Sequence, residues 1–111
     1  MTLHPTLCEV AKARAIDFGT RGFDHHTDAD GHSANWHVRE AGYALPDWYG
    51  TEDDANNVES LTAGNPTAQD AWISWSGHPG HREHVLGLLP FYAAQTNVGV
   101  GYAQVEGSAH V

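Results

Sequence analysis

The sequence predicts an α/β fold, and three observations predict it. Apolar residues recur at helical spacing near the start, a helix-capping pattern precedes a tryptophan-bearing segment, and small and large residues alternate near the end. The chain has 111 residues, with no internal repeat, low-complexity tract or linker, and residues 1–111 are read as a single domain.

The first helix is predicted from Pro5 to about Thr20. Pro5 suits a first helical turn, and Leu7, Val10, Ala11, Arg14 and Phe18 fall on one face at steps of three and four. Phe23–Gly31 is polar and turn-like. A second short helix starts at Ser33 and ends at Gly42, whose lack of a Cβ suits a helix C-terminus. Leu45–Asn57, with Pro46, Gly50 and four acids, reads as a loop. Val58–Ala63 is short enough to be a strand or a helical turn. Asn65 or Thr67 caps a third helix running to about Ser76, with Thr67 and Asp70 at capping-box spacing. His78-Pro79-Gly80 breaks it, and a fourth helix follows over His81–Leu88. Thr96–Val105 is the best strand: Val98, Val100 and Tyr102 share one face, and the small Gly99, Gly101 and Ala103 share the other, where another backbone can approach closely. Its partners are sought in Asn57–Leu61 or Gly107–Val111.

Composition removes several function classes. Hydrophobic residues at 41% and charged residues at 17% exclude a disordered acidic segment, and no run approaches the ~20 apolar residues of a membrane span. Cys8 is the only cysteine, which excludes an internal disulfide and multi-cysteine zinc modules. Fourteen acidic against five basic side chains give a net charge of -9, which argues against nucleic acid and anionic headgroups as partners. Nine histidines make that charge shrink on mild acidification. Residues 1–20 carry no secretory signal, so the chain is expected to stay inside the cell or to be a mature or trimmed form.

Four groups carry potential chemistry. His25-His26 with Asp28 and Asp30 are donors for a divalent metal, or loop-bracing histidines beside solvated acids. His78, His81 and His84 lie three apart, a step that aligns His81 and His84 on a helix, whereas Pro79-Gly80 interrupts the register with His78. Glu59, between Val58 and Leu61, is an acid in apolar company suited to act as acid, base or ligand. Trp72 and Trp75 at helical spacing are read as core, and Trp48-Tyr49 as lining a ligand groove. No Gly-x-Ser-x-Gly elbow is present, and Cys8 is read as a buried, inert thiol.

Gly80-His81-Arg82-Glu83-His84-Val85-Leu86, followed by Phe91-Tyr92 and Val98-Gly99-Val100-Gly101-Tyr102-Ala103, resembles the signature of bacterial CAP (SCP-like) domains, relatives of cysteine-rich secretory and plant pathogenesis-related proteins. Phe23…His26…Asp30-Gly31, Arg39-Glu40-Ala41-Gly42-Tyr43 and Val58-Glu59-Ser60-Leu61-Thr62-Ala63-Gly64 are similar to further family segments, so the resemblance covers most of residues 7–105. It implies a three-layer α-β-α sandwich with a small, mainly antiparallel sheet. It also implies a secreted or cell-envelope location. Glu59 and His81 match two positions of the family's cavity tetrad; Arg14 stands where a histidine is expected, and His78 lies near the fourth position. Arg14 beside Glu59 is expected to form an ion pair that fills the place of a metal. The sequence ends at Val111 without the family's closing strand, so the expectation is either a truncated domain or a sheet with an exposed edge.

The leading expectation is an extracytoplasmic domain without established catalysis whose polar cleft, formed by Glu59, His81, Arg14, His78 and Trp75, binds a small ligand, lipid or metal. One alternative is a metal-dependent hydrolase with zinc or another divalent ion on His81 and His26 or His84, and Glu59 as general base or further ligand. The other is a structural interaction module that binds a protein partner.

Overall fold

The computed structural model describes residues 2–23, 25–64 and 67–105. A two-residue strand β1 (Thr2–Leu3) leads into the long helix α1 (Pro5–Arg21), followed by α2 (Ala34–Glu40) and a single 3-10 turn at Asp47–Tyr49. Three short helices come next, α3 (Ala68–Ser76), α4 (Pro79–Leu86) and α5 (Pro90–Ala93), and then β2 (Asn97–Val98). β1 and β2 pair in parallel, Thr2 opposite Asn97 and Leu3 opposite Val98.

This corrects the expected three-layer α-β-α sandwich. The described chain is 48% helix and 4% strand, and its sheet is parallel rather than antiparallel. Asn57–Leu61 is not a strand, and Gly107–Val111 lies outside the described residues. The partner of β2 is instead β1, held by Thr2 N–H to the Thr96 carbonyl (2.8 Å) and His4 N–H to the Val98 carbonyl (2.9 Å).

Helix α1 follows its sequence. Pro5 occupies its first turn, Gly22 at φ 71° ends it, and Leu7, Val10, Ala11, Arg14 and Phe18 are buried or half-buried while Glu9, Lys12, Ala13 and Ile16 face solvent. The small-residue face of the last segment meets this helix. A Cβ on Gly99 would fall within 3.0 Å of the Leu7 carbonyl group, and one on Gly101 within 3.0 Å of that of Ala11. Only glycine lets the two backbones approach so closely. From Gly99 to Val105 burial alternates strictly, with Val100 and Tyr102 turned outward, yet no backbone ladder continues among the described residues. Thr96–Val105 is thus extended, but only its start is paired.

The buried apolar side chains among the described residues are Phe18, Ala34 and Val38, at the contact of α1 with α2. Buried polar residues complete the centre. Asn35, 0% exposed, donates to the Asn57 Oδ1 (2.8 Å) and accepts from the Asn57 N–H (3.0 Å), tying the 53–57 segment to α2. Helices α3, α4 and α5 pack on one another and bury no residue fully. Trp72 is therefore 41% exposed rather than core. The accessible surface of 6888 Å² exceeds the roughly 6,000 Å² typical of a monomer this size. No helix among the described residues is long and apolar enough to cross a membrane.

Candidate functional site

Three segments converge on Glu59. Asn56 positions it: its side-chain oxygen accepts from the backbone N–H groups of Val58 (3.2 Å) and Glu59 (3.0 Å), turning the chain so that the Glu59 carboxylate points toward α1. There Arg14, 4% exposed, meets it as a fork, donating from Nε at 2.9 Å and Nη2 at 3.0 Å. His26 Nδ1 lies 2.8 Å from the same carboxylate, and the His26 carbonyl accepts from Arg14 Nη2 at 2.5 Å. The Arg14–Glu59 ion pair expected from the sequence is present. Burial alone would raise the Glu59 pKa, but the hydrogen bonds from His26 and Arg14, together with their charge, hold it below its ordinary value.

A second acid supports the pair from behind. Asp28, read from the sequence as either a metal donor or a solvated acid, has a side chain that is 1% exposed. It accepts from the N–H groups of Asp30 (2.9 Å) and His32 (3.0 Å) and lies 2.7 Å from His37 Nε2 and 3.9 Å from Arg14 Nη1. Burial opposes ionisation, yet these contacts bring its pKa down to about 2. The Asp-Gly turn at 30–31 looks open in sequence, and nothing there signals that its first acid folds inward.

The remaining predicted residues divide between one groove and its surroundings. His81 lines an open groove of about 360 Å³ with Phe18, His26, Leu61 and Ala63. Burial, then the charges of His78 and His26, lower the His81 pKa. His78 and Trp75 do not line this groove. His78 precedes α4 and its ring stands 4.9 Å from that of His81, so Pro79, at the start of α4, does not separate the two as the broken register suggested. Trp75 is half-buried on α3, and its indole nitrogen has no hydrogen-bond partner. Trp48 is 73% exposed and meets Phe91 edge-on, away from the groove.

The candidate ligands His81, His26 and Glu59 do not gather into a metal set: among the described residues no group of three or more His, Cys, Asp or Glu side chains is arranged to hold an ion. The Arg14 guanidinium takes the carboxylate such an ion would need. Sequence reasoning also missed Ser60, whose Oγ lies 2.6 Å from His84 Nδ1. Its signal was weak, since a serine and a histidine so far apart are linked only by folding.

No family model, curated protein or solved structure matches this chain.

Proposed function

We propose that this chain is a small-ligand-binding domain, with the groove between α1, residues 61–63 and α4 as its binding site. The observation that carries the reading is a groove lined by Phe18, Leu61, Thr62, Ala63 and His81 together with His26, whose ring is held by the Arg14–Glu59 ion pair behind it. A volume of about 360 Å³ falls in the range of small-molecule sites, ~300–1,000 Å³. Apolar walls with imidazoles at the polar end suit a small amphipathic molecule that exchanges hydrogen bonds with histidine. The resemblance to CAP domains supports the same reading and an extracytoplasmic location. Because the Glu59 charge is engaged by Arg14, an organic ligand fits the groove better than a bare cation.

The test is ligand screening by two-dimensional NMR, using fatty acids, sterols and small aromatic acids, on wild type and His81→Ala. Saturable shifts at Leu61, Ala63 and His81 that weaken in the variant are expected. Shifts confined to other surfaces would refute the site. Calorimetry with zinc is the companion measurement: stoichiometric binding abolished by His81→Ala would replace the organic-ligand reading with a metal one.

A further inference from the structure

We propose that Ser60 is an activated nucleophile for acyl transfer, with His84 as its general base and Gln95 as the residue that positions His84. Ser60 follows Glu59 on the extended segment and faces α4, where its Oγ lies 2.6 Å from His84 Nδ1. The imidazole packs against the Tyr92 ring at 5.0 Å, and the Gln95 side chain lies beside it. Gln95 is itself anchored, since its Nε2 donates to the Asn57 carbonyl at 2.9 Å. With His84 protonated at Nε2, Nδ1 carries the lone pair and the serine hydroxyl donates to it. Nucleophile and base thus stand in hydrogen-bond reach, with a side chain anchored beside the base, the arrangement that activation of a serine requires.

The charge state of His84 agrees with this role. Burial lowers its pKa, the Gln95 hydrogen bond raises it, and the charges of His81 and His26 lower it again, with a net downward shift. The ring is therefore neutral at pH 7 and able to take a proton. Leu61, the next residue after Ser60, lines the groove, and its N–H meets no backbone carbonyl among the described residues. It is available as a donor to an oxyanion.

The substrate class is a carboxylic ester. Ser60 Oγ bonds to the carbonyl carbon as its proton passes to His84 Nδ1. The bond from that carbon to the alcohol oxygen breaks, and the departing alcohol takes the proton from His84. Water then attacks the acyl-serine by the same proton route, releasing the acid and restoring Ser60. A neutral Gln95 orients the imidazole without adding a charge to stabilise its protonated form, so slow turnover is expected.

Nine histidines would hydrolyse activated aryl esters unaided, so the test uses a fluorophosphonate probe on the full chain, read by intact mass and peptide mapping. Ser60 Oγ displaces fluoride from phosphorus and its proton goes to His84. A single adduct on Ser60 is expected, absent in Ser60→Ala and formed about 100-fold more slowly in His84→Asn. The labelling rate of wild type should rise with pH to a midpoint below 6.5, and Gln95→Glu should move that midpoint upward. No adduct, an adduct on another residue, or a rate insensitive to His84→Asn in a natively folded variant overturns the proposal. The wild-type pH profile decides the matter if that variant does not fold. None of these readouts requires a ligand in the groove, so failure here and failure of the binding reading are separate results.

Discussion

Replacing Glu59 with glutamine is the most informative single change. The carboxylate accepts two hydrogen bonds from Arg14, at 2.9 and 3.0 Å, and stands 2.8 Å from His26. An amide keeps one acceptor but aims an NH₂ at the guanidinium, leaving Arg14, 4% exposed, with Asp28 at 3.9 Å as its remaining charge partner. Breaking a buried pair on one side costs ~3–5 kcal/mol, and the residual attraction of Asp28 places this case at about 3 kcal/mol. Small domains have a total stability of ~5–15 kcal/mol, so the loss is a large fraction. With a urea slope of ~1.5 kcal/mol/M, the unfolding midpoint should fall by about 2 M. Urea titration followed by tryptophan fluorescence at pH 7 measures it. The double variant Arg14→Met/Glu59→Leu should recover part of the loss, because it removes both charges of the pair, while the His26 carbonyl loses its Arg14 donor. A loss under about 1 kcal/mol, the range of exposed ion pairs, would refute the claim that this pair organises the site. The pH dependence has a definite sign: the depressed Glu59 pKa gives stability present above about 4.5 and lost as pH falls through the folded value.

Asp28, brought from 3.8 to about 2, should contribute about 2 kcal/mol at neutral pH, fully present above pH 4 and lost as pH falls through 2; carboxyl-carbon NMR titration checks the value. Gly99→Ala and Gly101→Ala, each placing a methyl inside the α1 backbone, should lower Tm by about 10 °C or more, and an unchanged melting curve would contradict the close approach. His81 should titrate below 6.5 and move back up in His78→Ala, since after burial the His78 charge is the next cause of its shift; imidazole NMR reads this directly. With His81 and His84 both depressed, the unfolded chain takes up protons first, so stability is complete above pH 6.5 and declines as pH falls to the folded values.

Features written in local spacing were legible in the sequence. The α1 stripe, the Thr67 cap, which accepts from the Asp70 N–H at 3.1 Å, and the glycine row facing α1 are as expected. The Arg14–Glu59 pair was legible through the family resemblance. The sheet was not, because β1 is two residues long and carries no period. Nor was the exposure of Trp72: helical spacing shows which residues share a face, but not whether a neighbour covers that face. The polar interior was hidden for a different reason. Asn35, Asn57 and Asp28 are types usually found at the surface, and only their mutual hydrogen bonds make burial tolerable.

The parallel pairing of β1 with β2 has a kinetic consequence. It joins Thr2–Leu3 to Asn97–Val98 across almost the whole described chain, whereas α1 and the α3–α4–α5 helices are closed by neighbours in sequence. Closing the longest loop costs the most chain entropy while returning only a few backbone hydrogen bonds. The strand pair should therefore form last and open first, releasing the glycine segment from α1 before the helices melt. Amide exchange at Thr2 and His4 would then outpace that of α1, and the weakest point of the molecule would be the clasp between its two distant strands rather than its site.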